Sequence, residues 1–183
     1  MLNVVFEDSS ILVLSKPSGQ IINRAQTTKG KTTLQDELEK RFGIKKSEEG
    51  IGGRAGIVHR LDKETSGIIL VAKTQSAFEA LQSQFKEREV RKEYLALVHG
   101  KSPKSGSIEA AIDRNPKNRM RFAVVSGGRK SMTEYAVLQY YKHEEELLSF
   151  LKVKPFTGRS LNWDWSASNA LCVLATRIMP EVS

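Results

Sequence analysis

Five consecutive apolar residues, Ile68-Ile-Leu-Val-Ala72, follow directly on a polar loop, His59 to Gly67. A run this apolar and this short predicts a strand over Ile68–Lys73, buried on both faces. No apolar run in the chain approaches the roughly 20 residues a membrane-spanning helix needs. A polar loop mounted on a buried strand is also where function concentrates, because the sheet holds the loop in place. The chain is therefore expected to be a sheet protein with its chemistry at the start of this strand.

The flanking pattern supports that frame. Asn3–Glu7 and Ile11–Ser15 read as strands around the turn Asp8-Ser9-Ser10. Thr32–Phe42 reads as a helix, with Leu34, Leu38 and Phe42 at four-residue spacing, Thr32 as cap and Gly43 as stop. Lys45–Gly56 is a polar, glycine-rich loop. Its glycines make a weak phosphate-loop signal, since no Lys-Ser/Thr follows them. Ser76–Glu89 predicts a second helix, opened by a Ser76-x-x-Glu79 capping box and striped by Phe78, Leu81 and Phe85. Strands are expected at 92–98, 107–112, 133–140 and 147–153. The fold class is α+β, a mostly antiparallel mixed sheet with flanking helices, and not a regular βαβ winding.

Composition narrows the function classes. The 183 residues suit one domain, or one with a small appendage. The start, Met1-Leu-Asn-Val-Val-Phe-Glu-Asp8, has no basic segment before its apolar residues, so no secretory signal is expected. A single cysteine, Cys172, excludes a disulfide framework and a four-cysteine zinc site. The cytoplasm is the expected compartment, without membrane attachment. His59, His99 and His143 are too far apart in sequence for a metal motif. The formal net charge of +8 points to a polyanionic partner such as nucleic acid, against the plainer reading of a solvated basic face. The excess is uneven: residues 1–160 carry 28 basic and 19 acidic residues, whereas 161–183 carry one and two. The stretch Arg114-Asn-Pro-Lys117-Asn-Arg119-Met-Arg121-Phe122, followed by Gly127-Gly-Arg-Lys130, fits a hairpin facing RNA phosphates.

The chemistry concentrates in Gly56-Ile-Val-His59-Arg60-Leu-Asp62-Lys63-Glu-Thr65-Ser-Gly67. From spacing alone, Asp62 between Arg60 and Lys63 is either a site carboxylate or part of a charged surface turn. A kinase catalytic loop is excluded: the aspartate is displaced by one position, and neither Asp-Phe-Gly nor Gly-x-Gly-x-x-Gly is present.

Residues 56–73 resemble the central motif of the RluA-type family of RNA pseudouridine synthases, His-Arg-Leu-Asp-x-x-Thr-Ser-Gly. Val5-Phe-Glu-Asp8 with Ile11-Leu-Val-Leu-Ser-Lys-Pro-Ser-Gly19 resembles the family's opening strand pair. Lys92-Glu-Tyr94-Leu-Ala-Leu-Val-His-Gly100 is similar to its tyrosine motif, and Val153-Lys-Pro-Phe-Thr-Gly-Arg159 to the first half of its third motif. The resemblance covers about residues 1–160. It implies isomerisation of uridine to pseudouridine in ribosomal or transfer RNA, with no metal and no organic cofactor, by a monomer. It makes Asp62 the catalytic aspartate, acting either as nucleophile at the ribose C1′ or in forming a glycal-like intermediate. It makes Tyr94 the tyrosine packed against the target uracil, and Arg60 the side chain that fills the stack left by the flipped nucleotide. His59, Thr65 and Arg159 become supporting residues of that site.

After Ser160 the family pattern is lost. The expected His-Gln-Ile/Leu-Arg segment, whose arginine pairs with the catalytic aspartate, is replaced by Leu161-Asn-Trp163-Asp-Trp165. The domain over residues 1–160 thus reads as incomplete at its C-terminus. Residues 161–183 read as a tail outside the family, for which a frameshift in the encoding DNA is one origin. Without that arginine, burial is expected to raise the Asp62 pKa and strand edges are expected to be left unpaired. A catalytically inactive RNA-binding remnant is the alternative to an active enzyme.

Overall fold

The computed structural model describes residues 2–43, 51–117 and 122–156, together with the backbone of Ala170–Met179. Two compact units follow each other along the chain, dividing between Val90 and Arg91. Where the sequence suggests one sheet, there are two, of three and six strands. Every pairing among the described strands is antiparallel.

The first unit is built on β1 (Val4–Glu7), β2 (Ile11–Lys16) and β3 (Gly67–Ala72), in that spatial order. Leu12, Leu14, Ile69 and Val71 are almost fully buried, while Val13, Ile68 and Leu70 are only half-buried. The apolar run is therefore not equally covered on both faces, as its composition suggests. It lies in an antiparallel sheet, which can leave one face partly open.

Two helices accompany this sheet. The first, α1 (Leu34–Phe42), buries Leu34 and Leu38, one turn apart. Its cap is Thr33 rather than Thr32: the Thr33 hydroxyl accepts from the Asp36 amide, and the Asp36 carboxylate accepts in return from the Thr33 amide. Gly43 ends the helix in the left-handed conformation. The second, α2 (Gln75–Glu87), is capped by Thr74, whose hydroxyl accepts from the Ala77 amide. That displaces the expected Ser76–Glu79 box, because Thr74 holds the extended backbone a cap requires. Phe78 is buried beside α2's partner strand β3, and Leu81 and Phe85 are half-buried.

The second unit is a six-stranded sheet. Its strands are β4 (Arg91–His99), β5 (Ser105–Arg114), β6 (Phe122–Val124), β7 (Arg129–His143), β8 (Glu146–Pro155) and β9 (Ala170–Met179). The spatial order is β6-β5-β7-β8-β4-β9. Ala96, Val98, Leu151 and Val153 form its buried cluster, with Tyr94, Tyr135 and Val137 packed against it. Burial of each large aliphatic side chain contributes about 1.5–3 kcal/mol.

The strand β9 is a correction to the sequence reading. The tail has little alternation around Trp163 and Trp165, and the edge of the sheet is expected to be bare. Instead Ala170–Met179 pairs with β4 from Arg91↔Met179 to Val98↔Ala170. The run Ala-Leu-Cys-Val-Leu-Ala is apolar and rich enough in strand formers to continue a ladder wherever an edge is offered. Its fit is imperfect, with register shifts at Leu95/Ala96 and Leu97/Val98. The β4–β8 pair has no such shift over six positions.

Candidate active site

The Asp62 loop is anchored at both ends to β3. On the incoming side, Gly56 adopts φ +76° and its carbonyl accepts from the Ala72 amide at 2.8 Å. A Cβ at Gly56 would lie 2.1 Å from the Ala72 carbonyl oxygen, so only glycine fits. Ile57 bridges Val71, and the His59 Nε2 accepts from the Leu70 amide at 2.9 Å. The His59 ring also stacks on Phe85, with centroids 4.7 Å apart and planes at 23°. On the outgoing side the Thr65 amide donates to the Asp62 carbonyl at 3.2 Å, closing a turn, and Thr65 is buried. Gly67 then enters β3 opposite Lys16.

Beneath this loop lies Lys16, the residue that sequence reasoning missed. It is 1% exposed, and its ammonium donates to three carbonyls: Pro17 at 2.8 Å, Lys63 at 2.9 Å and Gln20 at 3.0 Å. The Gly19 amide shares the Lys63 carbonyl at 2.8 Å, and the Ser18 hydroxyl donates to the Glu64 carbonyl at 2.7 Å. Three donors from residues 16–19 thus hold the backbone of Lys63 and Glu64, next to Asp62. A signal for this was present. In β2 the buried positions are Leu12 and Leu14, and the two-residue period puts Lys16 on the same face. A lysine on a core face has to satisfy its ammonium locally.

Asp62 is half-buried. Burial raises its pKa above the ordinary value of 3.8, and the nearby charges of Arg60 and Lys16 only partly offset this. Burial likewise lowers the Lys16 pKa, against the pull of Glu64 and Asp62. A carboxylate with a raised pKa is a stronger base and nucleophile once ionised, and it sits here in a loop tied down on both sides. Arg60 is exposed, free of the packing that fixes its neighbours Leu61 and Asp62.

The loop brings His59, Arg60, Asp62 and Thr65 together. The other sequence-derived residues belong to the second unit or lie outside the described residues. Tyr94 is half-buried in β4, opposite Val153 and Thr176, and packs on the Ala96–Val153 cluster. Arg114 ends β5, with its amide donating to the Asp113 carboxylate at 2.7 Å. Lys117 follows in an Asn115-capped turn, its amide 2.9 Å from the Asn115 side-chain oxygen. Both basic residues are exposed at the mouth of the β5–β6 hairpin. Arg119, Arg121 and Arg159 lie outside the described residues. Among those described, no group of three His, Cys, Asp or Glu side chains could hold a metal ion.

Comparison with known proteins addresses the same segments. The family described as RNA pseudouridylate synthase matches residues 10–161. An uncharacterized RNA pseudouridine synthase of Aquifex aeolicus is 40% identical over 162 residues, covering 87% of this chain and 49% of its own length. A ribosomal large subunit pseudouridine synthase D of Neisseria meningitidis is 38% identical over 160 residues, covering 87% of this chain and 40% of its own. The chain therefore spans about half the length, or less, of these curated relatives. The solved structure of human RNA pseudouridylate synthase domain containing 1 matches with a TM-score of 0.72 at 30% identity, over 94% of this chain and 67% of that one. A second human structure, domain containing 4, shares the fold with a TM-score of 0.64 at 20% identity. With the family match running from β2 through the Asp62 loop and Tyr94 to the end of β8, this chain belongs to the RNA pseudouridylate synthase family.

Proposed function

We propose that this chain isomerises uridine to pseudouridine in structured RNA, with Asp62 as the catalytic carboxylate. The observation that carries the reading is the half-buried Asp62, its pKa raised by burial, on a loop that Lys16 and the β3 backbone hold rigid. Ribosomal RNA is the favoured substrate over transfer RNA, since several relatives are named for the large ribosomal subunit.

Two routes use the same carboxylate. In one, Asp62 attacks the ribose C1′ and the glycosidic electrons leave with uracil N1. In the other, Asp62 takes the C2′ proton and the base leaves to give a glycal. In both the uracil turns and C5 bonds to C1′, which breaks the Asp62–C1′ bond in the first route and returns the C2′ proton from Asp62 in the second; the C5 proton is then lost and N1 gains one. Tyr94 packs against the uracil and assists proton removal at C5. Arg60, exposed and cationic, stacks in the gap left by the flipped nucleotide and offsets part of the few kcal/mol that flipping costs. His59, Thr65 and Arg159 support the site. No metal or organic cofactor takes part. Residues 1–160 carry the activity, residues 161–183 are a segment outside the family pattern, and the chain works as a cytoplasmic monomer. Among the described residues no helix is long and apolar enough to cross a membrane.

Incubation with RNA tritiated at uracil C5 tests the reading: tritium should be released into water in proportion to pseudouridine formed. RNA binding without release would support the alternative, an inactive RNA-binding remnant.

Binding has its own signature. Arg114 and Lys117, with Arg119 and Arg121, are expected to displace counterions from RNA phosphates, so affinity falls linearly with the logarithm of salt concentration. The double variant Arg114→Ala, Lys117→Ala should flatten that slope by about one to two units. An unchanged slope in a filter-binding titration places the RNA face elsewhere.

A further inference from the structure

We propose that His59 is a positioning residue: its imidazole replaces a backbone carbonyl at the edge of β3, ends the strand pairing there, and so sets where the Asp62 loop departs from the sheet. The proposal deepens the functional reading above and rests on it for the role of Asp62.

The backbone registers carry the argument. Residues 56 and 57 run antiparallel to β3, with the Ala72 amide donating to the Gly56 carbonyl and Ile57 opposite Val71. Continued in that register, Val58 would face Leu70 and its carbonyl would accept the Leu70 amide. Pairing stops at Ile57 instead, and the Leu70 amide donates to the His59 Nε2 at 2.9 Å. A half-buried edge amide without an acceptor is costly, so a strand cannot simply end there. The side chain removes that cost and frees the main chain from residue 58 onward. Four residues on from Val58 the chain reaches Asp62.

The ring is fixed in two directions. Leu70 holds its Nε2 edge, and Phe85 of α2 covers its face at 4.7 Å. An Nε2 that accepts a hydrogen bond carries no proton, so the neutral ring has its proton on Nδ1. His59 therefore ties β3 and α2 to the loop. Its neighbour Arg60 is left exposed while Asp62 is half-buried.

Two variants of the full chain separate the acceptor from the ring. His59→Phe keeps a flat ring against Phe85 and loses the acceptor. His59→Gln loses the ring and keeps an acceptor at similar reach. In His59→Phe the Leu70 amide should exchange with solvent at least about tenfold faster, and the Asp62 carboxyl, followed by carbon NMR, should titrate closer to 3.8. The kcat for RNA should fall about 10–100-fold with little change in KM. His59→Gln should restore most of all three. Faster Leu70 exchange in His59→Phe with Asp62 titration unmoved would overturn the proposal. If His59→Phe does not fold, His59→Gln decides: retained Leu70 protection with wild-type Asp62 titration supports it, and lost protection with unmoved titration overturns it. A wild-type chain that releases no tritium rejects the functional reading, while exchange and titration still decide this one.

Discussion

Asp62→Asn should abolish tritium release, by on the order of 10⁴-fold or more, while RNA affinity stays within about twofold. The amide is nearly isosteric and keeps the loop's volume, but it can neither attack C1′ nor take a proton. It also leaves Lys16 and Arg60 facing a neutral group. The same variant makes an independent thermodynamic prediction. The folded pKa of Asp62 lies above the ordinary 3.8 because burial disfavours the charged form. The folded state therefore holds this proton more tightly than the unfolded chain does. Its stabilising contribution is fully present below about pH 3.8 and is lost as pH rises through the folded pKa. At pH 7 the ionised carboxylate is a net cost, so Asp62→Asn should melt higher than wild type. That difference should shrink on acidification and vanish below the ordinary aspartate value. Inactivation together with a higher melting temperature at pH 7 is what a strained catalytic group gives. Full activity in the variant rejects Asp62 as catalytic, and a lower melting temperature at pH 7 rejects the burial argument.

What could be read from sequence divides along a physical line. Local pattern reached the strands at 4–7, 11–16 and 67–72 because two-residue alternation and turn residues act over a few positions. It reached the Asp62 loop because a polar segment before an apolar run needs no partner to be recognised. Helix caps were missed by one or two residues at Thr33 and Thr74, since a neighbouring Thr32 or Ser76 offers the same hydroxyl. Only the backbone angles decide between them. The separation of Asp62 and Tyr94 into two sheets was out of reach, as strand order depends on pairings between distant residues. The pairing of β9 with β4 was missed for a related reason. Trp163 and Trp165 lie in the part of the tail without alternation, whereas the strand formers lie beyond them. Lys16 and His59 show a third limit. A lysine suggests solvent and His59 reads only as a supporting residue, whereas one is buried under carbonyls and the other accepts a backbone amide. Both act by satisfying backbone groups; the period of β2 places Lys16 on the core face, but no pattern names the carbonyls or the amide that these two side chains serve.

Lys16→Met should be the most destabilising single change in the site. Methionine keeps the apolar stem on the buried face of β2, beside Leu14 and opposite Gly67, and removes only the ammonium. The carbonyls of Pro17, Gln20 and Lys63 then lose a charged donor together. Leaving a buried acceptor unsatisfied costs about 1–3 kcal/mol each. Lys63 keeps the Gly19 amide, and the desolvation penalty carried by Lys16 is recovered. A net loss of about 3 kcal/mol remains, or a drop in Tm of about 6–12 °C for a chain of this size. Activity should fall as well, because Lys16 is one of two cations facing Asp62 and because it grips the carbonyl of the next residue. Losing the cation removes a charge that favours the carboxylate, so the Asp62 pKa should rise further and the acid limb of the rate profile should move to higher pH. Lys16→Arg offers a control: it keeps the charge but forces a larger, planar group into a space filled at 1% exposure, and should destabilise without shifting that limb upward. A Lys16→Met chain with unchanged melting and an unchanged rate profile means that water replaces the ammonium, and that the loop is held by its remaining hydrogen bonds to β3, Ser18 and Gly19.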